Sequence, residues 1–160
     1  MFVAFRALTY ATLFVGFLLI YLPARLLAWS GIYRPPAIEA PQIAGIVLAT
    51  AGAALALWCV VSFVHHGKGT PAPFDPPRHL VIRGPYRFVR NPMYLGATLA
   101  LAGAALFYGS PTLFGYAATF LFAASLFVLG YEEPKLRRTF GPEYEAYCHH
   151  VSRWLPQVPI

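Results

Sequence analysis

Gly84-Pro85-Tyr86-Arg87-Phe88-Val89-Arg90-Asn91-Pro92-Met93-Tyr94-Leu95-Gly96 is a basic, aromatic segment with two prolines that runs straight into a long apolar stretch. Each proline biases the residue before it away from helix, while Pro92 itself suits a first helical position, where its missing N–H costs nothing. The pattern predicts a loop through Asn91 and a helix from Pro92, with two arginines and two tyrosines at the helix entrance. In so apolar a chain that entrance falls where water meets lipid, the rim of a site open to both polar and lipid molecules.

Composition bounds the setting. Of the 160 residues, 58% are hydrophobic and only 11% charged, against about 25% charged in an ordinary soluble domain. The chain reads as an all-α integral membrane protein, residues 1–160 forming a single membrane domain. Basic residues outnumber acidic ones, 12 to 6, but they lie beside apolar runs, which the positive-inside rule explains without invoking nucleic acid. Cys59 lies within an apolar run and Cys148 in a polar tail, so no disulfide is expected. Adjacent histidines at 65–66 and 149–150 point to different sides of any helix or strand, and no metal site is expected. Gly67-Lys68-Gly69-Thr70 lacks the full spacing of a phosphate loop, and there is no dinucleotide fingerprint.

Four spans are expected, at about 7–29, 42–64, 92–107 and 112–131, because crossing the hydrocarbon takes about 20 residues per helix. Pro23 predicts a kink in the first. The run from Ala7 lacks the cleavage site of a signal peptide and reads as a retained helix. Small residues at Gly45, Ala49 and Ala53, at Gly52 and Ala56, and at Gly96, Ala100 and Ala104 recur at four-residue spacing, which lets membrane helices approach closely. Gly109-Ser110-Pro111 is a tight turn joining the third and fourth spans. The 65–91 loop holds Lys68, Arg78, Arg83, Arg87 and Arg90 against one acid, Asp75, and its prolines keep it from being a helix.

The tail, 132–160, repeats Leu136, Phe140, Tyr144, Tyr147 and Val151 at helical spacing, an interfacial amphipathic helix or a pair broken at Gly141-Pro142. Arg6, the 65–91 loop and the tail together hold ten of the twelve basic residues. That places both termini and the loop in the cytoplasm, so loop and tail meet on one face of an inner (plasma) membrane of bacterial type. Arg87, Arg90, Asn91 and Tyr94 are thereby brought towards Glu132 and Glu133.

Each of these residues has a structural and a functional reading. Two carboxylates at the end of an apolar helix, against its negative dipole, are either a solvated helix end paired with Lys135, Arg137 or Arg138, or a pair turned inward to meet a cationic or hydroxyl-bearing ligand. Arg87 and Arg90, three apart, are either anchors or a grip for a carboxylate or phosphate. Tyr86 and Tyr94 suit an interfacial belt, and Asn91 suits a helix cap or a ligand contact.

Leu80-Val81, Gly84-Pro85-Tyr86-Arg87, Val89-Arg90-Asn91-Pro92-Met93-Tyr94-Leu95-Gly96, then Glu132-Glu133, Leu136, Phe140-Gly141, Tyr144, Tyr147, Val151, Arg153 and Pro156 resemble the C-terminal signature of the isoprenylcysteine carboxyl methyltransferase family. The membrane phospholipid N-methyltransferases share its outline. The resemblance implies a membrane methyltransferase that uses S-adenosylmethionine and acts on a lipid or amphipathic small substrate with a carboxylate or amine acceptor. It implies Arg90, Asn91, Pro92, Tyr94, Gly96, Glu132 and Glu133 as cofactor-binding residues. The acceptor chemistry sets Arg87, Tyr94 and Arg153 at the reacting end: Arg87 or Arg153 to position a carboxylate, and Tyr94, Glu132 or Glu133 as the base an amine would need. The chain departs from the family where Asn91 stands in place of the more usual histidine. Two other readings are a membrane reductase of similar architecture using NADPH, and a non-catalytic membrane binding protein that keeps the fold.

Overall fold

A computed structural model describes residues 12, 15–33, 36–63, 65 and 79–156. The expected first span before Val15, apart from Thr12, lies outside the described residues, as do Arg6, Arg34, His66 and the 67–78 part of the loop with Lys68, Asp75 and Arg78. Among the described residues every regular element is helical. A π-helical stretch, Val15–Tyr21, leads into α1 (Leu22–Trp29), and α2 spans Ala40–Ser62. A 3-10 turn at Gly84–Arg87 precedes α3 (Pro92–Tyr108) and α4 (Pro111–Phe127). A π turn at Val128–Glu132 then carries the chain into α5 (Glu133–Phe140), followed by α6 (Pro142–His150).

Two helices are long and apolar enough to cross a membrane, Ala40–Ser62 and the continuous Pro111–Phe140; Gly16–Trp29 and Pro92–Tyr108 are apolar but shorter. A π-helical stretch, with a wider turn, lies directly upstream of Pro23, whose ring crowds the carbonyl four residues back.

The seam between α2 and α3 fixes the bundle. Gly52 lies against the Ala100 nitrogen and the Gly96 carbonyl, Gly45 against the Phe107 nitrogen and the Gly103 carbonyl, and Gly103 against the Ala49 backbone. The working face of α2 is therefore Gly45, Ala49, Gly52 and Ala56, spaced four, three and four. Ala53, expected on that face, is exposed, because a strict four-residue repeat drifts around a helix of 3.6 residues per turn. With lipid as apolar as a leucine, close backbone approach rather than hydrophobic burial holds such helices together.

At the other end of α3, Ser110 caps α4 by accepting a hydrogen bond from the Leu113 nitrogen at 3.3 Å, which closes the α3–α4 hairpin. Leu113, Ala117, Ala124 and Val128 face inward, while Phe114, Phe122 and Leu126 are exposed on the opposite side, a face suited to lipid.

The helix expected to stop at Tyr131 does not stop there. The π turn admits one extra residue, so that Pro134 falls in the first turn of α5, where its absent N–H has no bond to forfeit. The two glutamates thus sit inside a continuous helix rather than against a negative C-terminal dipole. Beyond it, Gly141 turns the chain at φ +52, and Leu136, Phe140, Tyr144, Tyr147 and Val151 gather with Leu80 and Cys148 in one cluster under the tail.

Candidate active site

Three segments converge at the end of the bundle where α3 begins: the 84–91 loop, the π turn with α5, and the tail after α6. Gly84, at φ +61, brings the loop close to the Trp58 indole nitrogen and the Ser62 hydroxyl of α2. Pro85, Tyr86 and Val89 are buried behind it, and the Tyr86 ring meets Phe63 edge-on at 5.3 Å. The Tyr147 hydroxyl of α6 donates to the Tyr86 carbonyl at 2.7 Å, and the Arg90 backbone nitrogen donates to the Ser152 carbonyl at 2.9 Å. Burial raises the Tyr147 phenol above its ordinary range, so this donor stays protonated.

At the centre is Glu133, only 5% exposed. Arg153 of the tail grips it with both arms, Nε to Oε1 at 2.7 Å and Nη2 to Oε2 at 2.9 Å. Arg90 of the loop reaches the same carboxylate, Nη1 to Oε1 at 3.2 Å, and also donates to the Cys148 sulfur at 2.7 Å. The hydrogen bond from Arg153 to Glu133 pushes the guanidinium pKa further up, so it is charged at every working pH. Removing one partner of the Arg90–Glu133 pair, buried on both sides, costs about 3–5 kcal/mol. Arg90 Nε is buried with no protein partner among the described residues.

Glu132, one residue earlier, is turned elsewhere: its Oε2 accepts from the Tyr94 hydroxyl of α3 at 3.1 Å. The two adjacent carboxylates therefore have different company, Glu133 two cations and Glu132 a phenol. Beside Glu133 lies a cleft of about 380 Å³ lined by Leu129, Glu133, Pro134, Arg137 and Arg153. Its size falls within the range of small-molecule sites, roughly 300–1,000 Å³.

Of the residues singled out from the sequence, Arg90, Asn91, Tyr94, Glu132, Glu133 and Arg153 come together. Asn91 holds the N-cap position of α3 but does not cap it; its Nδ2 donates to the Arg153 carbonyl at 3.2 Å instead. Pro92 is buried at the first position of α3, and Gly96 lies on the seam against the Gly52 carbonyl and the Ala56 nitrogen. Arg87 is exposed: the 3-10 turn ends with it, which separates it from Arg90. Arg137, Cys148 and the Tyr147 hydroxyl are additions. Tyr147 was visible in the sequence only as an apolar position in a helical repeat, and nothing in the pattern signalled its hydroxyl. The cysteines are free, and no group of metal-ligating side chains occurs among the described residues.

The family model described as phospholipid methyltransferase matches residues 41–143, well over half the chain. The chain belongs to the phospholipid methyltransferase family. That family is part of the membrane methyltransferase superfamily, which includes the isoprenylcysteine carboxyl methyltransferase-like proteins. No curated protein and no solved structure matches the chain. The region shared with the phospholipid methyltransferases holds Arg90, Tyr94, Glu132 and Glu133, whereas Arg153, which completes the grip on Glu133, lies beyond it.

Proposed function

We propose that this protein is an S-adenosylmethionine-dependent methyltransferase acting on a membrane lipid or amphipathic small molecule through a carboxylate or amine acceptor. The observation that carries the reading is the buried Glu133 held by Arg90 and Arg153 beside an open cleft, within a chain of the phospholipid methyltransferase family. S-adenosylmethionine fits this donor set: its amino-acid end bears a carboxylate and an ammonium, and the cleft offers guanidinium groups and a carboxylate. When bound, it supplies a methyl group on a positively charged sulfur.

The protein's share is alignment and exclusion of water, because charge disperses in such a displacement and little covalent chemistry is left to side chains. Arg153 and Arg137 line the cleft and receive carboxylate groups; Arg90 and Glu133 fix the cleft wall; Tyr94 and Glu132 form a polar pair on the bundle side. Of the residues expected at the reacting end, Arg87 keeps an exposed place on the rim, where an approaching headgroup meets it first. Asn91, Pro92 and Gly96 shape the start of α3 that carries Tyr94. The reading includes four spans, the α5–α6 tail at the interface, both termini in the cytoplasm and residence in the inner membrane, supported by the apolar helices and the charge distribution.

Calorimetric titration of the detergent-purified protein with S-adenosylmethionine and its demethylated product tests this. Micromolar binding is expected, weakened at least tenfold in Glu133→Gln and in Arg90→Ala. A folded wild type that binds neither, or that binds NADPH instead, would overturn the proposal.

A further inference from the structure

We infer that Asn91 is a positioning residue for Arg153 rather than a ligand of the cofactor. Three hydrogen bonds fasten the tail to the loop before α3. The Tyr147 hydroxyl donates to the Tyr86 carbonyl at 2.7 Å, the Arg90 nitrogen to the Ser152 carbonyl at 2.9 Å, and Asn91 Nδ2 to the Arg153 carbonyl at 3.2 Å. The last two hold consecutive tail carbonyls from consecutive loop residues, one by main chain and one by side chain.

The spacing matters because of what Arg153 does next. Its guanidinium meets Glu133 with two parallel bonds of 2.7 and 2.9 Å, a geometry that tolerates little error in the position of the backbone bearing it. Residues 151–156 of the tail have no regular structure of their own. Asn91 supplies the constraint that a helix or strand would otherwise supply. It is only 8% exposed and its amide is directed at the tail, which leaves its side chain little surface for a ligand. An N–H aimed at a carbonyl is what the position requires, so a histidine, which also carries an N–H donor, can serve in its place, whereas alanine and aspartate cannot.

Two readouts test the inference, of which only the second rests on the proposed cofactor site. Limited trypsin digestion of the full-length protein in detergent, followed by mass spectrometry, compares cleavage after Arg153 with cleavage after the exposed Arg138. Releasing the guanidinium from Glu133 should raise that ratio at least tenfold in Asn91→Ala and Asn91→Asp, with Asn91→His close to wild type. General destabilisation would raise both cuts together; an unchanged ratio overturns the inference, whether or not any cofactor binds.

The second readout is a double-mutant cycle on S-adenosylmethionine affinity. Asn91→Ala should weaken binding about tenfold in the wild-type background and not at all in Arg153→Ala. An equal loss in both backgrounds would make Asn91 a direct ligand and overturn the inference. A folded wild type that fails to bind would instead overturn the proposed function, leaving the proteolysis ratio to decide the role of Asn91.

Discussion

Gly52→Ala is the sharpest test of how the bundle is held together. A Cβ at this position would stand 2.5 Å from both the Ala100 nitrogen and the Gly96 carbonyl oxygen, whereas ordinary contact begins at 3.4 Å. The deficit is about 0.9 Å, and the atoms in the way are backbone of α3, which no rotamer change can move. Overpacking of this kind costs about 1–3 kcal/mol. Alanine returns about 1 kcal/mol through its better helix propensity, so the net expected loss is up to about 2 kcal/mol, a fall in Tm of up to roughly 8 °C for a chain of this size.

Gly115→Ala on α4 is the control: nothing lies within 4 Å of the Cβ it would add, and it should hold or gain up to about 1 kcal/mol. Thermal unfolding of both variants in the same detergent reads the difference. If Gly52→Ala matches Gly115→Ala in Tm, the α2–α3 seam is not a close backbone contact and the packing described above is wrong.

Other substitutions probe the site end. Tyr147→Phe removes the donor to the Tyr86 carbonyl and leaves that buried acceptor unpaired, which should lower stability by about 1–2 kcal/mol in thermal unfolding while preserving the fold. Gly141→Ala meets no neighbour, so its whole cost is the backbone at φ +52; a loss of about 1–3 kcal/mol is expected, and a silent variant would mean the α5–α6 corner is not held as described. Glu133→Gln keeps the shape but leaves Arg90 and Arg153 without their shared carboxylate, so stability should fall by about 3 kcal/mol or more alongside cofactor affinity. A Glu133→Gln protein as stable as wild type would show that the cluster is not buried as tightly as its geometry indicates.

Much of the fold was legible because local chemistry dictated it. Pro92 fixed the start of α3, Gly109-Ser110-Pro111 fixed the hairpin, and the small residues of α2 and α3 marked the seam. The passage through Glu132-Glu133-Pro134 was not legible, since a proline after two acids reads as a helix end unless a π turn, which has no sequence signature, sets it in a new first turn. The meeting of loop and glutamates followed from charge asymmetry alone. Which carboxylate pairs with which partner did not, because a shift of one residue on a helix swings a side chain by about 100°. Asn91 was open to capping or ligand contact from the sequence, and neither reading anticipated its bond to a carbonyl in the tail.

The unbroken helix from Pro111 to Phe140 also works as a ruler. At about 1.5 Å per residue, Glu133 stands about 33 Å along the axis from Pro111, close to the thickness of a hydrocarbon core, about 30 Å. In the proposed topology, a rod anchored at its Pro111 end by the α3–α4 hairpin carries the gripped carboxylate to the level of the opposite headgroups, through the π turn at Val128–Glu132. Bilayer thickness becomes a setting on the site: a thicker membrane draws the cleft down among acyl chains, and a thinner one lifts it into water or tilts the rod. Turnover in vesicles of graded acyl length should then pass through a maximum, with the enzyme reporting in its rate how far its own helix reaches.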